Sequence, residues 1–119
     1  MTYNEKVLKQ SDNSVEIEFT PAEDWDYFDG HFPGFKLLPA LAQIEIVIRL
    51  AAKYLRSALL IQKAKRLKFS SIIRPGFPVS LALSYKKETG ALGFTMKNPE
   101  GNIIYSSGTI IIGAENERA

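Results

Sequence analysis

The chain has 119 residues, enough for one domain with its own core, and 45% of them are hydrophobic. A formal net charge of only +2 argues against a dedicated nucleic-acid binder, whose surface is strongly basic. The absence of cysteine excludes disulfides and thiolate catalysis. The single histidine, with no cluster of acids at ligand spacing, leaves a metal site unsupported.

The first dozen residues, Met1 to Asp12, are polar and charged and carry no signal-peptide apolar region. No apolar run approaches the about 18 residues of a membrane span. The expectation is a cytoplasmic protein without membrane insertion. Val15 to Phe19 alternates apolar and polar residues, the period of a half-buried strand. Thr20 to Asp24 ends it. Trp25, Tyr27, Phe28, Phe32 and Phe35 then crowd a segment rich in glycine and proline, which predicts a loop packed down on the core.

Pro39 suits the opening of a helix, where its missing N–H costs nothing. The helix should run from about Ala40 to Arg56. It is apolar on nearly every side up to Ala52, which predicts surroundings of protein. Gln43, Glu45 and Arg49 are the polar exceptions. Strands follow near Ile61–Ile73, Phe77–Lys86, Ala91–Lys97 and Asn102–Ile112. Glu88-Thr89-Gly90 and Pro99-Glu100-Gly101 read as hairpin connections. A strand, a loop, one buried helix and about four antiparallel strands make an α+β fold with one core, a single domain over residues 1–119.

The candidate chemistry sits before and on the helix. His31, in Asp29-Gly30-His31-Phe32-Pro33-Gly34, is the one side chain whose ordinary pKa of about 6.5 lies near neutrality. Fourteen positions later Glu45 interrupts an apolar helix. A base in a tight loop and an acid on an apolar helix suit proton transfer. Two other readings compete: His31 bonding only its own turn, and Glu45 in an ion pair with Arg49 at helical i,i+4 spacing.

These residues carry a resemblance. His31-Phe32-Pro33-Gly34, then Pro39 opening a helix, then Glu45 on it, resembles the small 3-hydroxyacyl-acyl-carrier-protein dehydratases of the FabA/FabZ type. The segment Lys68-Phe69-Ser70-Ser71-Ile72-Ile73-Arg74-Pro75-Gly76 is similar to that family's basic-aromatic strand ending in Pro-Gly. The likeness covers Glu23 to Val79, and the Asp-Gly-His-Phe-Pro-Gly context is similar to the ApeI-like branch of aryl polyene pathways. It departs at Lys36, where proline is common, at Ala40, where glycine is usual, and at Arg49, where glutamine is common.

The resemblance implies a hot-dog fold, a curved antiparallel sheet around one central helix. It implies dehydration of a 3-hydroxyacyl thioester, with His31 taking the C2 proton and a buried, protonated Glu45 protonating the leaving hydroxyl. Backbone N–H groups near Gly34 and Ala40 would hold the thioester oxygen, and Phe32 and Phe35 would line the acyl path. No metal or cofactor is implied, since the phosphopantetheine arm belongs to the acyl carrier protein. The histidine of one subunit meets the acid of another, so the implied unit is a homodimer or a hetero-oligomer with another hot-dog subunit. The basic run Lys63, Lys65, Arg66, Lys68 and Arg74 reads either as a solvated strand edge or as a dock for the acidic carrier. A hot-dog thioesterase and a non-catalytic hot-dog subunit are the alternatives.

Overall fold

A computed structural model describes residues 3–28 and 34–113. In chain order they form β1 (Lys6–Gln10), β2 (Ser14–Phe19), α1 (Ala40–Leu55), β3 (Leu60–Phe69), β4 (Val79–Lys86), β5 (Ala91–Lys97) and β6 (Ile104–Gly113). The strands make one antiparallel sheet in the order β1-β2-β4-β5-β6-β3. His31, Phe32 and the tail from Ala114 lie outside the described residues.

Alternation decides which face of the sheet meets the helix. Val15, Ile17 and Phe19 of β2 are buried, as are Leu92, Phe94 and Met96 of β5, with the residues between them more exposed. Against this face α1 turns Ile46, Val47, Leu50 and Ala51, each almost fully buried. Fully burying a side chain such as Ile46 or Leu50 stabilises the fold by about 1.5–3 kcal/mol. The helix packs chiefly on β2 and β4.

Pro39 is the residue before the first helical turn (φ −64°, ψ 157°), one place earlier than the usual proline position. Arg56 ends the helix in the left-handed region at φ 59°. Leu38 is tied down through its N–H to the Ile73 carbonyl at 2.8 Å, which fixes where the helix starts. Both expected hairpins are present, joining β4 to β5 and β5 to β6. The first needs Gly90, at φ +75°, because a Cβ there would strike the Ile112 carbonyl.

Two expectations differ from the structure. β1 pairs with β2 across Ser11-Asp12-Asn13, although the N-terminal segment shows no alternation; all five β1 residues are exposed, so neither face selects apolar side chains. The helix is also not enclosed on every side. Leu41, Glu45, Arg49 and Lys53, each four residues apart, form an open stripe, and Leu41 is 80% exposed.

Candidate active site

The loop that delivers the site reaches the helix through Gly34 and Phe35. Gly34 has φ +80°, a conformation that disfavours any side chain. Phe35 is exposed and lies under the Arg74 guanidinium, 4.5 Å from the ring centroid. Lys36 reaches back to Glu23, bonding its carbonyl at 3.3 Å. Gln43 is buried and donates to the Leu38 carbonyl at 3.0 Å. Its Oε1 has no partner among the described residues. It is a bracing residue for the loop–helix junction.

Ala40 begins α1, is exposed, and has an N–H with no intrahelical acceptor. A helix N-terminus with free donors favours an anionic oxygen. Glu45 follows five residues later, about 7.5 Å along the axis. Its carboxylate is 45% exposed and accepts from Arg49 Nε at 2.8 Å. That corrects the expectation of a buried acid in this chain by itself: the carboxyl stands on the open stripe and pairs with Arg49. The same contact holds the Arg49 guanidinium above its ordinary pKa.

Two tyrosines complete the cluster. The Tyr27 and Tyr3 hydroxyls share a hydrogen bond of 3.0 Å. Burial pushes the Tyr27 phenol well up, and the bond to Tyr3 and the charge and hydrogen bonding of Glu45 push it further. Burial raises Tyr3 as well, while Arg49 acts the other way. Tyr27 is therefore a neutral donor beside the Glu45 carboxylate across the working pH range. Sequence reasoning read it as packing; its place just before Asp29-Gly30 was the available signal.

The expected basic set does not stay together. Arg74 stands with Phe35 near the helix start, whereas Lys63, Lys65, Arg66 and Lys68 all lie on β3 at the edge of the sheet. A shallow trough of about 660 Å³ occupies the sheet face away from the helix, floored by Thr95, Ser107 and Thr109, with Arg66 and Lys68 on one rim. Among the described residues no group of acids or histidine is placed to hold a metal, and no helix is long and apolar enough to cross a membrane.

The family model for the ApeI dehydratase, "ApeI-like", matches residues 7–109. The chain belongs to the ApeI-like dehydratase family. Solved structures agree on the fold. The ApeI:P dehydratase heterocomplex from Xenorhabdus doucetiae superposes with a TM-score of 0.85 at 24% identity, over 96% of this chain and 100% of that one. An uncharacterised protein from Erwinia carotovora subsp. atroseptica gives a TM-score of 0.77 at 28% identity, over 93% of each chain. A hypothetical thioesterase with coenzyme A from Streptococcus pneumoniae gives a TM-score of 0.64 at 9% identity, over 93% of this chain and 87% of that one. No curated protein sequence matches significantly. The ApeI-like chain thus has the hot-dog fold, with α1 as the central helix.

Proposed function

We propose that this ApeI-like protein dehydrates a 3-hydroxyacyl thioester carried on acyl carrier protein to the trans-2-enoyl thioester, in fatty acid or aryl polyene type chain elongation. The observation that carries the reading is the placement of Glu45 on the open stripe of α1, beside Tyr27 and five residues after a helix N-terminus with free donors. His31 takes the C2 proton, the C3–O bond breaks, and the hydroxyl leaves as water with a proton from Glu45. The N–H groups near Gly34 and Ala40 stabilise the charge that gathers on the thioester oxygen. Acid–base help of this kind is worth about 10²–10⁴-fold.

The working unit pairs this chain with a second hot-dog subunit, its own copy or a different chain. Covering the stripe of Leu41, Glu45 and Arg49 shuts bulk water out around the carboxyl that gives the leaving hydroxyl its proton. Phe32 and Phe35 line the acyl path, and Arg74 over Phe35 meets the phosphate of the phosphopantetheine arm. The arm arrives with the carrier, and the protein needs no cofactor of its own.

One observation favours a second reading. An exposed Glu45 also suits activation of water for thioester hydrolysis. Mass spectrometry of a 3-hydroxyacyl-carrier protein incubated with this protein separates them. Loss of water from the acyl chain, abolished in His31→Ala and Glu45→Gln, supports dehydration. Release of free carrier supports the thioesterase. No change with several acyl groups points to a non-catalytic subunit.

A further inference from the structure

Tyr3 lies ahead of β1 and yet is only 4% exposed. Its ring meets Trp25 edge-on at 5.5 Å between centroids and Phe19 at 6.5 Å. Trp25 in turn meets Tyr27 edge-on at 6.0 Å. These contacts hold the Tyr3 ring in the core, and a phenylalanine would make the same ones. What a phenylalanine lacks is the hydroxyl, which forms a 3.0 Å hydrogen bond with the Tyr27 hydroxyl. Burying a hydroxyl costs free energy that one neutral hydrogen bond only partly returns. Packing therefore gives no reason for two facing phenols.

Proton counting gives one. Tyr27 belongs to the short 3-10 turn Asp26–Phe28, Glu45 to α1, and Tyr3 to the segment ahead of β1. The Tyr27 phenol is hydrogen-bonded to Tyr3 and to Glu45. It has a single proton to give. A carboxylate only accepts, so when Glu45 is ionised the Tyr27 proton goes to it and Tyr3 is the donor of the 3.0 Å bond. The order is then Tyr3 hydroxyl, Tyr27 hydroxyl, Glu45 carboxylate. A hydroxyl that receives a hydrogen bond gives a stronger one.

We infer that Tyr3 is a positioning residue of the Glu45 site: its hydroxyl holds the Tyr27 oxygen and turns the Tyr27 proton onto Glu45, which makes the N-terminal segment part of the support of the active site. This rests on the dehydratase reading above. In that reaction Glu45 gives its proton to the departing hydroxyl, the C3–O bond breaks, water leaves and Glu45 becomes a carboxylate. A phenol already aimed at the carboxyl stabilises that charge as it forms and needs no rearrangement at that moment.

The charged groups that face the two phenols are Glu45 and Arg49 from α1 and Glu5 from the same segment as Tyr3. Arg49 bonds Glu45 at 2.8 Å, and Glu5 is closed by Lys53 and Tyr54. Neither takes up the Tyr3 hydroxyl, whose hydrogen-bond partner among the described residues is Tyr27. Glu5 is a second anchor of the segment, and Asn4 turns the chain between the two at φ 54°. The two anchors differ in what they hold. Glu5 fastens the segment to the end of the helix, whereas Tyr3 brings a hydroxyl to the group beside Glu45.

The test compares wild type, Tyr3→Phe, Tyr27→Phe and the double variant in steady-state dehydration of a 3-hydroxyacyl-carrier protein. Tyr3→Phe is expected to lower kcat about threefold, the worth of one hydrogen bond, with KM unchanged. In the Tyr27→Phe background it should cost nothing further, because Tyr3 acts only through Tyr27. Glu5→Gln loosens the same segment without touching the Tyr3 hydroxyl and should leave kcat as it is, which separates positioning from loss of stability. The same proteins labelled with carbon-13 at the glutamate carboxyls give an NMR readout that needs no turnover. The Glu45 resonance, identified by its loss in Glu45→Gln, should move in Tyr3→Phe in the same direction as in Tyr27→Phe, and no further in the double variant. An unchanged kcat in Tyr3→Phe overturns the inference. So does a loss that persists in full in the Tyr27→Phe background, or a Glu45 resonance indifferent to Tyr3→Phe. If wild type leaves every 3-hydroxyacyl carrier unchanged, the dehydratase reading fails, and the resonance still decides whether Tyr3 acts on Glu45.

Discussion

Two carboxylates touch the same helix and meet different fates. Glu5 accepts from Lys53 Nζ and from the Tyr54 hydroxyl, both at 2.6 Å, and its side chain is only 5% exposed. Glu45 accepts from Arg49 at 2.8 Å, stands beside Tyr27, and is 45% exposed. Each site has an acid, a cation and a phenol. The Glu5 group is closed and staples the N-terminal segment to the end of α1. The Glu45 group is open near the start of the same helix. The same set of groups is a fastening where the carboxylate is covered and leaves the carboxylate accessible where it is not.

The largest expected effect breaks this contrast at its open end. Glu45→Gln should lower turnover of a 3-hydroxyacyl-carrier substrate by about 10²–10⁴-fold while leaving the melting temperature nearly unchanged. A large fall in melting temperature with activity retained would make Glu45 a structural residue like Glu5. The reciprocal variant, Glu5→Gln, should keep activity and cost about 1–2 kcal/mol of stability, as expected for losing charge-assisted hydrogen bonds. Chemical denaturation with an activity assay checks both halves.

The Glu5 contribution should also depend on pH in a set direction. Burial raises this carboxyl, but the hydrogen bonds from Lys53 and Tyr54 outweigh it and hold it below its ordinary 4.5. A group depressed in the folded state stabilises above its unfolded value and loses that contribution as pH falls through the folded one. The stability gap between wild type and Glu5→Gln should therefore be full near neutrality and close below pH 4.5.

Tyr27→Phe sharpens the open site more gently. Loss of one hydrogen bond of about 1 kcal/mol should cost roughly five- to tenfold in kcat, with KM little changed, in a steady-state assay. Arg49→Gln should have the smallest effect on stability. It should move the alkaline limb of the pH–rate profile of kcat toward higher pH, because the proposed proton donor keeps its proton longer once a nearby cation is gone. An unmoved limb would mean that Arg49 does not act on Glu45 during turnover.

The helix and its neighbours were legible because their causes are local. Pro39 and the apolar run after it set the helix start, and Gly90 and Gly101 mark the two hairpins. β1 was not legible, since Lys6–Gln10 is exposed on every residue and alternation has nothing to record. The open stripe was misread because Leu41 counted as a core residue, although it points away from this chain's own core. Nothing local joins Tyr27 to Glu45 or Tyr3; only the folded backbone brings positions so far apart in sequence together. The five basic residues formed one run in sequence, but Arg74 falls past the end of β3 and so leaves the other four.

Both rims of the sheet break step. The β1–β2 pairing shifts register between Val7 and Lys9, and the β3–β6 pairing shifts twice, the second time around Arg66 at φ 54°. A sheet with two straight edges can add copies without limit, each new edge offering what the last one offered. An irregular rim interrupts the regular pairing that such addition needs. The shifts at the two rims of this sheet therefore work against growth into fibrils, which needs an unbroken pairing repeated from copy to copy.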